Sequence, residues 1–179
     1  PELKVISHVG AANKAPDFIM SDGKTLSLKT NIKKSNKVCP QKIGQPTRKR
    51  FKEIFGIDPE QLDPFIKRYI ISNINHLIDE YWANLLCCDY LLWLYVDENG
   101  WNYKFFDNQM LNKSPFTDSK KFTFTQTAES WKKSCTVKYN NISIGEFQFH
   151  TKTKTKTKKR DGIKFRFILI NVLRVIEEQ

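Results

Sequence analysis

Residues 16–30 read PDFIMSDGKTLSLKT, two short apolar runs on either side of Asp22-Gly23. An Asp-Gly pair between such runs is a strong hairpin signal, because both residues tolerate the left-handed backbone of a tight turn. The stretch therefore predicts two antiparallel strands. Side chains along a strand repeat every two residues, so Ser27 and Lys29 share a face. If Asp17 stands opposite Lys29, Ser27 stands opposite Ile19 and Asp17 joins that face; a slip of one residue destroys the arrangement. A two-residue Asp-Gly turn gives the slipped register, so the shared face requires a three-residue loop or a bulge.

Beyond the hairpin, residues 31–45 (NIKKSNKVCPQKIGQ) mix Lys, Asn, Pro and Gly as a loop does. Residues 46–56 predict a short basic helix, with Pro46 at an early helical position and Gly56 at its end. Residues 59–86 predict one long core helix, because Leu62, Phe65, Ile66, Tyr69, Ile70, Leu77, Ile78, Tyr81, Leu85 and Leu86 recur at three-four spacing. The apolar run 90–96 reads as a central strand handed by Asp97-Glu98-Asn99-Gly100 to a second strand at 101–106. Further strands are expected at 121–125, 136–139, 142–149 and 163–169, with a closing helix at 171–178. Strands and helices interleave without a regular βαβ rhythm. The expected fold is α/β (α+β), with a mixed central sheet flanked by helices.

The chain has 179 residues, enough for one ordinary core, so a single domain over 1–179 is expected. It starts at Pro1 without Met, which leaves room for an upstream segment. A formal charge of +11 favours polyanionic partners, nucleic acid first, although an AT-rich genome also enriches Lys. The four cysteines, at 39, 87, 88 and 135, have no zinc-ligand spacing and suit a reducing cytoplasm better than a disulfide framework. No signal peptide is visible, and run 90–96 falls far short of the roughly 20 residues that cross a bilayer, so a soluble cytoplasmic protein is expected.

Cutting a phosphodiester needs a hard cation at the scissile phosphate and an activated water. A carboxylate at a strand end and a lysine on the neighbouring strand supply groups for both. PD-x(9)-SLK at 16–29 resembles the PD-(D/E)xK nuclease superfamily, and the following Thr30 resembles the branch, with its ELKT run, that holds the mismatch-repair nicking endonuclease and GATC-cutting restriction enzymes. The resemblance covers about fifteen residues directly. It implies a restriction-endonuclease-like fold, one or two Mg2+ ions, double-stranded DNA as substrate and cleavage by a homodimer. Asp17 would be a metal ligand and Lys29 would assist the water. Ser27 departs from the family pattern of Glu or Asp, and a hydroxyl is a weaker magnesium ligand than a carboxylate. In relatives with Ser there, a following helix supplies the carboxylate, and Glu53 is the residue here that would take that role. Glu2 is the other candidate for the metal shell.

Two patches could read DNA. Gln41 and Gln45 with Arg48, Lys49 and Arg50 form one; Glu146, Gln148 and His150, with Ile144 on the polar face of a strand, form the other. Gln pairs with adenine, Arg with guanine, and Glu accepts from cytosine. Between apolar strands, TKTKTKTKKR at 151–160, with Lys154, Lys156 and Arg160, reads as a basic finger on phosphates or as a solvated hairpin tip. His8 could lie beside the metal or simply in solvent, and His76 reads as a helix-surface residue. The enzyme reading stands against a DNA-binding module with a degenerate motif, and against a structural protein whose charge is only genomic bias.

Overall fold

The computed structural model describes residues 2–10, 16–32, 36–111, 113–150 and 161–178. In chain order the elements are β1 (Val5–His8), β2 (Phe18–Met20), β3 (Thr25–Asn31), β4 (Lys37–Val38), α1 (Arg48–Ile54), α2 (Asp63–Ser72) and α3 (Ile74–Leu85). Then follow β5 (Tyr90–Asp97), β6 (Gly100–Asp107), β7 (Phe122–Phe124), β8 (Ser134–Tyr139), β9 (Ile142–His150), β10 (Gly162–Ile168) and α4 (Leu169–Glu177).

The deciding hairpin forms with a three-residue loop. Met20 N donates to Lys24 O at 2.8 Å, which leaves Ser21, Asp22 and Gly23 to turn the chain, and Gly23 takes φ +80°. Phe18 pairs with Leu26 and Ile19 with Thr25, so Asp17 comes opposite Ser27 and not Lys29. This displaces the expected register by two residues. An even displacement keeps every side chain on its own face, so Asp17, Ser27 and Lys29 stay together.

β3 also pairs in parallel with β5, through rungs from Leu26–Tyr90 to Asn31–Tyr95. A parallel neighbour demands a long crossover, and α1 to α3 lie within it. The resulting sheet runs β1-β2-β3-β5-β6 and is mixed. A second sheet, β4-β10-β9-β8-β7, is antiparallel throughout. Two five-stranded sheets thus replace the single central sheet expected from sequence; the α+β class holds. The second sheet forms because β8 to β10 alternate buried and half-buried residues, the pattern of a sheet with one face on the core.

Between the sheets, α3 buries Leu77, Ile78, Tyr81, Trp82 and Leu85 in a core shared with Leu91 and Trp93 of the first sheet and Phe147, Phe165 and Phe167 of the second. Tyr81 stacks on Phe165 with ring centroids 4.4 Å apart, and Trp82 meets Phe167 edge-on. Each such aromatic contact adds about 0.5–1.5 kcal/mol beyond area burial.

The single helix expected at 59–86 is two helices. Asn73 ends α2 and opens α3, with its side-chain Nδ2 and backbone N both bonded to the Tyr69 carbonyl. Asn is prone to such local bonding, and here it breaks a helix whose apolar stripe alone reads as continuous. Residues 59–62 stay outside the helix, and Leu62 is 74% exposed. In β9, the register shifts between Val137–Gly145 and Lys138–Ser143. The bulge turns Ile144 into the core, off the polar face that strict alternation assigns to it. Gly145 is needed beside it: a Cβ there would stand 2.6 Å from Phe165 Cζ. Pro46 precedes the helix N-cap, Thr47, and is not itself helical. No helix among the described residues is long and apolar enough to cross a membrane, and all four cysteines are free thiols.

Candidate active site

Pro16 has no N–H, so it cannot carry the β2–β3 ladder past Asp17. Asp17 N still reaches Leu26 O at 3.0 Å, and the next strand donor, Leu28 N, is taken by the Asp17 carboxylate: Oδ2 accepts it at 2.7 Å. This fixes the carboxylate against β3. Ser27, 1% exposed, places its Oγ 3.4 Å from Asp17 Oδ2 and 3.2 Å from Gln41 Oε1. Lys29 Nζ donates to the same Gln41 oxygen at 3.3 Å. A carboxylate, a hydroxyl, an amide oxygen and an ammonium therefore form one cluster, three of them on adjacent positions of one sheet face. Asp17, Ser27 and Lys29 are brought together as the motif requires.

Gln41 is the member that sequence reasoning placed elsewhere, in a DNA-reading patch. Its residue type gives no signal for the cluster. The fold supplies it, because the segment after β4 passes over β3 and holds to β10 through Phe165 N to Gly44 O at 2.8 Å. Gln41 also lines a cleft of about 820 Å³, with Lys42, Gln45, Thr47, His150 and Lys164 among its walls. The cluster thus stands at the margin of an open groove between β10 and the 40–47 segment.

The two carboxylates expected to replace the one lost at position 27 are both ion-paired to neighbours outside the cluster. Glu53 sits on α1, ion-paired to Arg50 at 3.1 Å. Glu2 is exposed and paired with Lys4, and the β1–β2 register, with Val5 beside Met20, puts it beyond the turn end of the hairpin. Asp17 lies at the other end. There, Val9 N and Gly10 N both donate to Asp17 O, and His8 pairs with Phe18. β1, unread in the sequence, accordingly closes over the motif. A Cβ on Gly10 would stand 3.3 Å from Asp17 Oδ1 and 3.4 Å from His8 Nε2, so glycine keeps that oxygen uncrowded.

The expected DNA-reading residues divide. Arg48 is a structural strut: it holds Asp63 bidentately at 2.7 and 2.9 Å, donates to the His150 carbonyl at 2.6 Å and bonds Asp161. With its side chain 16% exposed it ties α1 to α2 and to the β9–β10 end, and four of its five N–H groups are bonded within the protein. Arg50 is paired with Glu53, while Lys49 and Gln45 are exposed. Glu146 and Gln148 are bonded to each other at 2.5 Å, and Glu146 also holds Lys37 and Arg166. Both are occupied within the protein; His150 lines the cleft. Lys154, Lys156 and Arg160 lie outside the described residues.

The Cys87 thiol is held below its ordinary value, first by a hydrogen bond from Cys88 and then by Lys42 and Lys29, against burial. Among the described residues no three His, Cys, Asp or Glu side chains converge as a metal cage. The donors present are oxygens: Asp17 Oδ1 and Oδ2, Gln41 Oε1 and Ser27 Oγ. That set fits magnesium, which takes one or two carboxylates, keeps several waters and completes its shell with phosphate.

Over 174 residues, 97% of its length, the chain is 37% identical to the type II restriction enzyme CviAII of Paramecium bursaria Chlorella virus 1. It spans 46% of that protein, about half the length of the curated relative it matches. No protein-family model matches the chain.

Proposed function

We propose that this chain is the catalytic part of a magnesium-dependent, site-specific deoxyribonuclease of the PD-(D/E)xK type, cutting double-stranded DNA as a type II restriction enzyme does. The observation that carries the reading is the shared cluster of Asp17, Ser27 and Lys29 on one face of the hairpin, in a chain that is similar over 97% of its own length to about half of a restriction enzyme. Asp17 and the Gln41 carbonyl would hold the metal, with Ser27 orienting Asp17. When bound, magnesium neutralises charge on the scissile phosphate and lowers the pKa of a coordinated water.

The protein's own residues do the rest. Lys29 keeps donors to spare after its bond to Gln41, since an ammonium has three. One of them faces the phosphate and stabilises the charge that builds on its oxygens in the transition state. Ser27 has one proton and two acceptors within reach, Asp17 and Gln41, so its hydroxyl can follow either as charge shifts at the metal. The Leu28 amide fixes the Asp17 carboxylate before substrate arrives, which removes the reorganisation cost from the reaction. Gln41, neutral, replaces the carboxylate that the motif lacks, leaving the site with a single negative side chain. Two copies related by a two-fold axis would cut both strands of a palindrome.

Digestion of a fully sequenced plasmid tests this. With magnesium, the chain is expected to give discrete fragments whose ends map to one short sequence, and none with chelator. Intact plasmid in magnesium and in manganese, while a gel shift still reports binding, means that the chain is a DNA-binding module and not an enzyme.

A further inference from the structure

Away from the cluster, on the half-buried polar face of the second sheet, one carboxylate gathers three donors. Glu146 Oε2 accepts from Lys37 Nζ at 2.9 Å; Oε1 accepts from Arg166 Nη2 at 2.9 Å and from Gln148 Nε2 at 2.5 Å. The Glu146 side chain is 13% exposed, those of Lys37 and Arg166 27% and 21%. Burial pushes the Glu146 carboxyl up, but its bonds to Lys37 and Arg166 outweigh that and hold it below the ordinary range. Two cations on one anion leave the group with a net charge of +1.

Three features say that the group is more than a structural ion pair. First, Arg166 Nε is buried and finds no partner among the described residues. A buried donor without a protein partner is costly, so the guanidinium is held in a pose that its own fold does not satisfy. Second, the face continues toward the cleft: Lys164, Gln148's partner across the ladder, lines it together with His150 and Gly162. Third, the group is tied to the active cluster, because Asn31 Nδ2 bonds the Lys37 carbonyl at 3.1 Å and Asn31 lies two positions along β3 from Lys29.

We infer that Lys37 and Arg166 are DNA-contacting residues and that Glu146 is their positioning residue, clamping both cations so that their remaining N–H groups meet acceptors of DNA laid along the cleft. The acceptors share one chemistry, oxygen or ring nitrogen with a lone pair, and come either from phosphates or from the O6/N7 edge of guanine. The inference rests on the reading of DNA as the substrate and does not depend on cleavage.

Fluorescence anisotropy with short labelled duplexes, in calcium or without metal so that nothing is cut, measures it. Glu146→Gln adds one unit of positive charge. If only net charge mattered, the variant would bind DNA more tightly; if Glu146 positions the cations, it binds about tenfold more weakly. Lys37→Gln, at a more exposed position, is expected to weaken binding by about the same factor with its thermal midpoint unchanged, which keeps the test decisive if Glu146→Gln misfolds. A loss equal on every sequence, with a salt slope smaller by about one, assigns the contact to phosphate; a loss confined to guanine-containing duplexes assigns it to the base edge. Unchanged or tighter binding by folded Glu146→Gln, or by Lys37→Gln, overturns the inference. Absence of cleavage with these losses intact would overturn the nuclease reading and leave this one standing.

Discussion

Asp17→Asn is expected to slow cleavage by a factor on the order of 10³ while DNA affinity stays within about threefold. The substitution keeps the shape of the side chain and one carbonyl oxygen. That oxygen can still accept from Leu28 N, the 2.7 Å bond that fixes the residue to β3, so the hairpin should keep its register. What disappears is the negative charge, and the cluster has no other: Ser27 and Gln41 are neutral, and Glu2 and Glu53 are paired elsewhere. A family member with two carboxylates in place can retain part of its cation affinity when one is lost. Here the loss should be nearly complete. Single-turnover cleavage in saturating magnesium, with thermal unfolding as control, measures it; a variant within tenfold of the parent would mean that Asp17 holds no metal.

Phe165→Ala is expected to destabilise the fold by about 3–5 kcal/mol, the range for removing a fully buried aromatic side chain. Phe165 is 0% exposed and meets Tyr81, Phe147 and Phe167 at centroid distances of 4.4, 4.7 and 4.8 Å. Gly145 leaves the space its ring fills. The cavity cannot close easily, because α3 is held on both sheets at once. Since domains of this size are stable by roughly 5–15 kcal/mol, the variant should be marginal at 37 °C. The urea midpoint is the check, and a shift worth less than about 1 kcal/mol at an unchanged slope would contradict this account of the core.

The parts legible in the sequence were those set by local chemistry. Asp22-Gly23 fixed a turn, and the requirement that Asp17, Ser27 and Lys29 share a face gave the three-residue loop that the chain adopts. Strand β5 followed from a continuous apolar run, β6 from the turn signal Asp97-Glu98-Asn99-Gly100 after it, and β9 from alternation. Long-range facts were not legible. Val5 and Ile6 favour a strand, but residues 5–8 show no buried alternation, because all four are exposed and the strand pairs with β2 alone. Arg48 looked like a reader of guanine because its two acidic partners lie fifteen and 113 residues away. Ile144 read as part of the polar face because a bulge is invisible until the partner strand is known. Gln41 belonged to no motif, and only the packing of the 40–47 segment on β10 brings it to Lys29.

The central claim is that Asp17 and Lys29 gather a cation and a phosphate at one point. Electron paramagnetic resonance of manganese, titrated into the protein–DNA complex beside the same complex carrying Asp17→Asn, tests it most directly. One or two bound ions per chain in the parent, lost in the variant while the DNA stays bound, is the predicted result. Equal manganese binding by both complexes would contradict it.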